Sequence, residues 1–570
     1  VKKDSLYPNT AELTDDVLFT LNITDTTIPR PNTISIDLIP GQTDSANNYG
    51  HTVSHDYRIN LKIDEPAILY YLVYKLSANP NPNPINQAGQ EQTVDTAHII
   101  DTNSEYNINT SLQPDQKQYQ EMFSFDSSKY PDGVLTDFKI TNLEFNTSYN
   151  IYIAAKEKDN TDAELLSNLS IIQLDTPKMN TEQFKLAVID WVTDESAAII
   201  KWGNIENWNT SVVTDMSGAF ENTSFNANIS TWDTTNVTNM SNMFKGASEF
   251  NQLINTDNTK WNTMKVIDMS SMFEGASKFD QDISGWNTMQ VVNMENMFKG
   301  ASKFNKPINT NGTSWNTENV TKMSSMFEGA SLFNQEIFDW NTIEVNNMKN
   351  MFKDASKFDK EINSWNTIKV TDMSSIFENA SEFKQNLSGW NTAKVTTMQN
   401  MFMNAVQFNQ AINTSGSSWN TGNVQDMSSM FEGAILFTQD ISGWNTFEVI
   451  YMQNMFKGAT AFNQPINKVN SSWNTVKVIN MSSMFEGLSN FNQNINNWDV
   501  SSVEQMQNMF KGASLFNSDI TDWNITKVTN MNSMLWNATV FDQNLTKWNT
   551  KLVANPSVEN ITNIFNSIDT

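Results

Sequence analysis

Residues 261–285 read Trp261-Asn-Thr-Met-Lys-Val266-Ile-Asp-Met269-Ser-Ser-Met272-Phe273-Glu-Gly-Ala276-Ser-Lys-Phe279-Asp-Gln-Asp-Ile283-Ser-Gly, and the next unit starts at Trp286. The same anchors recur along the second part of the chain, where successive tryptophans lie 24, 25 or 29 residues apart. This self-similarity is typical of a solenoid, because one short unit cannot bury its own apolar face. The repeat tryptophans are Trp208, Trp232, Trp261, Trp286, Trp315, Trp340, Trp365, Trp390, Trp419, Trp444, Trp473, Trp498, Trp523 and Trp548.

The apolar spacing within a unit predicts its secondary structure. Anchors from Val266 to Ala276 are spaced as one face of a short helix, whereas Phe279 and Ile283 alternate with polar residues as in a strand. Stacked coils would then align their strands in parallel. The sequence predicts an α/β solenoid of about 14 coils of 25–29 residues, with a parallel β-sheet.

The residue after each Met-Phe anchor alternates in charge from coil to coil, with Met403 as the exception. Because Ser-Ser and Asn variants of the Met-x-x-Met segment follow the same alternation, the larger unit is a pair of coils. If these residues form an exposed column, neighbouring Glu and Lys attract by about 0.2–1 kcal/mol per pair. The column would contain Glu221, Lys245, Glu274, Lys299, Glu328, Lys353, Glu378, Met403, Glu432, Lys457, Glu486 and Lys511.

Asn follows nearly every repeat tryptophan, as at Asn262 and Asn287, with Asp233 and Asp499 as replacements. We expect a structural ladder in which these side chains are buried and hydrogen-bond to the backbone of adjacent coils.

Composition divides the chain near residue 180. Eleven of twelve Tyr precede this point, whereas all 17 Trp follow it. Short runs rich in Ile, Tyr and Val in the first part predict β-strands at 58–63, 67–76, 137–143, 149–155 and 170–174.

The segment from Ile140 to Ala155 resembles the E–F corner of a fibronectin type III domain, where a tyrosine hydroxyl is tied back to upstream backbone. Tyr149 matches that tyrosine, and Leu143 would be its core partner. The resemblance implies a fibronectin type III/Ig-like β-sandwich over residues 28–177. Residues 1–27 are then a linker or the remnant of a preceding module, 178–207 an N-terminal cap helix, 208–550 the solenoid and 551–570 a C-terminal cap.

Charge and composition exclude several classes of protein. The formal net charge of −27 over 570 residues repels phosphate backbones, so we expect no nucleic-acid partner. The absence of Cys excludes disulfides, thiol catalysis and thiolate metal sites. Because the sequence starts at Val1 and has no apolar run long enough to span a bilayer, we expect any export signal or membrane anchor to lie outside this chain.

The recurring motifs indicate core packing rather than a metal, sugar-binding or catalytic site. Met-x-x-Met could bind a soft metal and tryptophan could stack on sugars, but both recur at core positions. The histidines, His51, His55 and His98, favour a solvated loop over a metal cluster. Calcium in acidic turns and a carboxylate pair for sugar hydrolysis are the alternatives left open. We expect no catalytic residue, no cofactor and no metal, and therefore no enzyme.

The consensus Trp-Asn-Thr-x-x-Val-Thr-x-Met-Ser-x-Met-Phe-x-Gly-Ala-x-x-Phe-Asn-Gln-x-Ile resembles the BspA-type leucine-rich repeat of bacterial surface proteins, in the Trp- and Met-rich form of mycoplasma surface lipoproteins. The resemblance covers about residues 181–570. It implies an extracellular, cell-surface location with adhesive or host-contact roles, and it carries over no catalytic motif. The lipid-modified Cys of a lipoprotein is not present in this chain.

We therefore expect a binding or adhesion protein whose solenoid face contacts a surface protein, matrix protein or glycan of a host or neighbouring cell. The alternative is a structural subunit of a surface layer or filament, formed by self-association. Four insertions before Trp261, Trp315, Trp419 and Trp473 are the candidate contact loops, and the competing interpretation is that they only expand the coil. Their candidate residues are Asn255, Asp257, Asn258, Lys260, Asn309, Asn311, Thr313, Asn413, Ser415, Ser417, Asn467, Lys468 and Asn470.

Overall fold

The computed structural model describes the backbone of seven strands before residue 178, and then residues 178–254, 261–308, 315–412, 419–466, 473–548 and 563–565. The chain divides into two compact units. One consists of Val1–Met179 with Ser196–Asn204, and the other of Asn180–Glu195 with Ile205–Thr570.

The strands of the first unit pair in antiparallel sheets. The strand orders are β1-β2-β5 and β4-β3-β6-β7. Each of the five predicted strands overlaps one of them. The strands are β1 (Ser35–Pro40), β2 (Tyr57–Lys62), β3 (Ala67–Lys75), β4 (Lys117–Ser124), β5 (Val134–Ile140), β6 (Ser148–Glu157) and β7 (Ser170–Asp175).

The predicted fibronectin type III/Ig-like β-sandwich over residues 28–177 is wrong for this structure. In a sandwich the side chains of two sheets interdigitate about 10 Å apart. The substantial contacts of the described strands all join hydrogen-bonded neighbours within one sheet. Tyr149 pairs with Lys75 and Leu174, and its expected partner Leu143 lies outside the described residues. Alternating apolar residues located the strands, but alternation does not specify which sheet faces meet.

The second unit begins with a helix that packs on the first coils. Helix α1 (Thr181–Thr193) starts with a capping box in which Asn180 and Gln183 each donate a backbone N–H to the other's side chain. The Phe184 ring lies 5.4 Å from that of Trp232, in an edge-to-face arrangement. Helix α2 (Glu195–Trp202) and a 3-10 helix (Ile205–Asn207) follow in the chain.

The coils themselves consist of turns. From Met269 to Gly275, every second backbone N–H donates to the next coil at 2.6–3.0 Å. Those of Met272 and Glu274 close turns on carbonyls three residues earlier, and the Ser270 N–H donates to the Asp268 carboxylate. Ser271 and Gly275 have φ angles of 54° and 71°, in the left-handed region. Equivalent left-handed residues recur along the array, for example Asn296 and Gly300. A helix needs consecutive right-handed residues and a strand consecutive extended ones, so this backbone forms neither.

Successive coils are joined by isolated parallel bridges of one residue per coil. Asp268 bridges Asn239 on one side and Asn293 on the other, and the series runs from Asp215 to Asn530. The described coils contain no extended strand, so the predicted leucine-rich-repeat-like α/β solenoid with a parallel β-sheet is wrong. The array is a stack of turn-rich coils whose backbones pair across coil boundaries.

The repeating apolar residues form one continuous core. Val266, Met269, Met272 and Phe273 are fully buried, as are their counterparts in most other coils. The repeat tryptophans are buried wherever they are described, except Trp419, which is partly exposed. Their rings stack from coil to coil within the described segments, at centroid distances of 6.0 to 6.5 Å. The prediction of interior tryptophans is confirmed for these residues.

Candidate functional site

All thirteen predicted contact residues lie outside the described residues, so their role stays a prediction. They are Asn255, Asp257, Asn258, Lys260, Asn309, Asn311, Thr313, Asn413, Ser415, Ser417, Asn467, Lys468 and Asn470.

The hydrogen bonds made by the buried indole N–H groups vary along the array. The indole Nε1 of most repeat tryptophans donates to a carbonyl of the preceding coil, as from Trp315 to Ile283 at 2.9 Å. This bond is long at Trp286 (3.3 Å) and at Trp523 (3.4 Å), and the buried Nε1 atoms of Trp340, Trp444, Trp498 and Trp548 have no hydrogen-bond partner among the described residues. Four of these six are the second repeat tryptophan after an insertion, whereas Trp523 and Trp548 are not.

The prediction that the asparagine side chains hydrogen-bond to the backbone of adjacent coils is wrong. The Asn262 side chain accepts the N–H of Met264 within its own coil, and equivalent asparagines do the same. The neighbouring coil is reached instead by the buried Thr263, whose hydroxyl donates to the Asn287 carbonyl at 2.8 Å. The threonine methyl group suits the edge of the core, while its hydroxyl satisfies the carbonyl there.

The predicted charge column is confirmed by ion pairs between adjacent coils. Lys511 also lies 5.1 Å from the ring of Trp536, which occupies the column position in the last coil. All of these groups except the buried Glu378 are partly exposed, so most of the pairs are worth little individually. The pairs are Lys245 with Glu221 at 3.6 Å, Lys245 with Glu274 at 3.8 Å, Lys299 with Glu328 at 3.3 Å, Lys353 with Glu378 at 3.0 Å, Lys457 with Glu432 at 3.3 Å and Lys511 with Glu486 at 3.1 Å.

Two charged groups of the coil array, Lys353 and Asp215, have shifted pKa values. Burial lowers the pKa of Lys353, but the hydrogen bond to Glu378 and nearby carboxylates outweigh it, so the net shift is upward. At the first coil, burial raises the pKa of Asp215, whereas hydrogen bonds from Lys185 and Ser217 lower it by more. The Lys185 ammonium lies 2.8 Å from Asp215, which ties α1 to the first bridge residue. Both shifts report structural ion pairs.

The most distinctive exposed surface lies along the bridges. We define the lateral face as the positions three, six and seven residues after each repeat tryptophan. Most coils carry Thr, Ser, Asn, Asp, Gln, Glu or Lys at positions six and seven. Large apolar side chains at exposed positions of a water-facing surface typically mark a contact site when they cluster.

One cluster, the aliphatic patch, consists of Met264, Ile267, Met289 and Val292. These residues occupy positions three and six of two adjoining coils, and their exposed fractions are 48, 51, 48 and 39%. The backbone N–H of Val292 donates to the Ile267 carbonyl at 2.9 Å, so the two rows are in register.

A second cluster, the aromatic patch, consists of Phe447, Ile450, Tyr451, Val476 and Ile479. Phe447 and Tyr451 are 45 and 39% exposed, and the other three residues are half-buried. Tyr451 is the one Tyr after residue 180, at a position that is polar or charged in every other coil. That break in tyrosine usage is visible in the sequence and could have pointed to this site, but it was interpreted only as a division of the chain.

Other kinds of site are not found in the part of the chain that the structure describes. No three His, Asp or Glu residues within it lie together as potential metal ligands. None of its helices combines the length and apolarity needed to cross a bilayer. The geometry of the described residues is therefore that of an extended surface with these two apolar patches and a further pair of exposed isoleucines, Ile343 and Ile368, at position three of two adjoining coils.

Comparison with known proteins gives one family. Its model, described as "Mycoplasma protein of unknown function, DUF285", matches residues 192–311, 253–341, 308–415, 386–472 and 467–569. Together these matches span about two thirds of the chain, and they coincide with the coil array. No curated protein and no solved structure matches the chain.

Proposed function

Since the chain belongs to the DUF285 family of mycoplasma repeat proteins, we propose that it is an extracellular cell-surface protein that binds host or neighbouring-cell molecules through the lateral face of its coils. The observation that carries the proposal is the clustering of exposed apolar side chains on this face. The resemblance of the repeats to those of BspA-type surface proteins supports the surface location and the adhesive role.

The architecture suits binding by an extended surface. Turn-rich coils keep their side chains at fixed spacing, because each coil is hydrogen-bonded to the next. A partner would contact several coils at once, so affinity would arise from a few apolar anchors surrounded by polar contacts. The four insertions remain candidate additional contacts.

Location is tested with antibodies against the full chain on intact and permeabilised mycoplasma cells. Equal labelling of intact and permeabilised cells is expected. Labelling that requires permeabilisation would overturn the surface location.

Binding is tested with the full chain against arrays of matrix proteins and glycans. In the test variant, Met264, Ile267, Met289 and Val292 are all changed to Thr, which other coils carry at these positions. In the matched control, Leu436 and Leu515 are changed to Asn. Both are exposed residues of a different column, in which another coil carries Asn490. Loss of binding in the patch variant but not in the control is expected. Equal binding by both variants would contradict a role for the aliphatic patch, and concentration-dependent assembly into filaments would instead favour a structural subunit.

A further inference from the structure

We propose that the aromatic patch binds a segment of a partner protein in which Lys or Arg residues are interspersed with apolar residues. The inference rests on the proposed binding role and specifies the chemistry of the partner. It is carried by three features of the patch: exposed aromatic side chains, an ammonium group already bound on one ring, and carboxylates at two edges.

The apolar surface covers two adjoining coils. Ile479 donates its N–H to the Ile450 carbonyl at 3.0 Å, and Tyr451 bridges Asn480 in parallel. Phe447 and Val476 occupy the third position of the same two coils. Aromatic residues are enriched among the contacts that dominate protein interfaces, because they bury a large area at low conformational cost. This surface provides the apolar part of the contact.

The aromatic part of the patch already binds a cation. The Lys477 ammonium lies 4.4 Å from the centroid of the Phe447 ring and 2.7 Å from a carboxylate oxygen of Glu448. A cation over an aromatic ring is stabilised by the ring quadrupole, and guanidinium groups also stack on such rings. Tyr451 carries no such cation among the described contacts, so its ring is open to a basic side chain of a partner.

Carboxylates flank the patch on both sides. Asp426 is the bridge partner of Tyr451 in the preceding coil, and the exposed Glu504 donates its N–H to the Ile479 carbonyl in the following coil. Neither forms an ion pair with a described residue. Three coil steps separate them, or about 15 Å, which an extended peptide of about five residues spans. Basic residues at the ends of such a peptide would meet Asp426 and Glu504.

The charge of the chain favours a basic partner over a second copy. A second copy would bring the same acidic edges to the interface, and both chains carry a net charge of −27. Like charges across an interface disfavour association, whereas a cationic segment is attracted over a distance before contact.

The probes are three fluorescent decapeptides, whose binding to the full chain is followed by fluorescence anisotropy at about 150 mM salt. One alternates Arg with Leu, one alternates Arg with Ser, and one alternates Glu with Leu. We expect the Arg/Leu peptide to bind at least about tenfold more tightly than either of the others, because it alone meets both requirements. Equal binding of the Arg/Leu and Arg/Ser peptides would show attraction by net charge alone and would overturn the proposal.

The variants use residues that the same columns carry elsewhere, so the coils should fold. Changing Phe447 and Tyr451 to Thr and Asn is expected to weaken Arg/Leu binding about tenfold or more. Changing Asp426 and Glu504 to Asn and Thr should weaken it severalfold and reduce its salt dependence. The variant in which Leu436 and Leu515 are changed to Asn is the matched control and should bind as the unmodified chain does. Unchanged binding by the Phe447/Tyr451 variant, or an equal loss in the control, would refute the assignment.

The peptide-binding experiment can fail while the proposed surface location holds, and the reverse is also true. Peptide binding by the purified chain does not depend on where the protein is located, and surface labelling does not depend on the aromatic patch. Sedimentation of the unmodified chain tests whether a second copy of the chain occupies the aromatic patch instead. Dimers that form with the unmodified chain but not with the Phe447/Tyr451 variant would show this and would overturn the proposal of a basic segment.

Discussion

Buried threonines join neighbouring coils by hydrogen bonds. Because two of them, Thr288 and Thr367, make different numbers of these bonds, their removal should lower the free energy of unfolding by different amounts. Thr288 is fully buried, and its hydroxyl donates to the Asn316 carbonyl and accepts the Asn316 N–H, both at 2.8 Å. Thr367 is equally buried, but its hydroxyl makes one such bond, to the Asn391 carbonyl at 2.8 Å. Valine has nearly the same shape as threonine without the hydroxyl, so each change to Val isolates the hydrogen bonds.

A fully buried backbone group left without a partner costs about 1–3 kcal/mol, which is an upper limit here because Asn316 and Asn391 are half-buried. Thr288→Val removes the partner of two such groups and should destabilise the array by up to about 6 kcal/mol, whereas Thr367→Val affects one and should cost up to about 3 kcal/mol, half as much. Thr288→Ser keeps the hydroxyl and removes a methyl group, so it should cost only about 1 kcal/mol.

Repeat arrays need not unfold in one step, so hydrogen exchange at single amides accompanies urea unfolding followed by tryptophan fluorescence. Exchange of the Asn316 amide should accelerate in Thr288→Val and not in Thr288→Ser. Equal destabilisation by the two valine variants, or a serine variant as unstable as Thr288→Val, would refute the assignment of the cost to hydrogen bonds.

Three further changes test the charges and the backbone. Met403→Lys should stabilise the array by about 0.2–1 kcal/mol in urea unfolding, because it restores the missing cation between two glutamates, whereas Met403→Glu should destabilise it. Asp215 has a folded pKa below its ordinary value of 3.8, so its contribution is present above that pH and is lost as the pH falls through the folded pKa. An acid titration of Asp215→Asn should lack this component, and an unchanged acid transition would contradict it. Gly300→Ala should cost about 1–2 kcal/mol because its φ is 70°, and Gly300→Asn should cost less, since Asn tolerates this conformation better; equal unfolding midpoints for the two variants would disprove this reason.

The sequence predicted which residues are buried but not the backbone that buries them. The spacing of Val266, Met269, Met272 and Phe273 places them on one side of a helix, and it equally places them on one side of successive turns. The deciding signal was Ser271, whose counterparts are Ser and Asn, together with the Gly two residues after Phe273. Asn and Gly are the residues that most readily adopt left-handed backbone conformations, and their regular spacing indicates turns.

The candidate site was predictable in part. The insertions attracted attention because they break the period, yet the described apolar patches lie within regular coils, where period analysis treats variable positions as solvent. Tyr451 was the exception visible in composition. The predicted helix also turns Met264 and Ile267 away from the face that carries Val266 and Met269, so their exposure was readable from the spacing, although the insertions drew the site prediction instead.

The ion pairs between coils also limit how such an array can change its length. Loss of one coil would keep the backbone pairing but place two glutamates or two lysines side by side. Loss or duplication of two coils keeps opposite charges adjacent and every left-handed position in place. Recombination in a gene of this kind can therefore lengthen or shorten the protein most easily by pairs, which moves the apolar patches relative to each other in steps of about 10 Å.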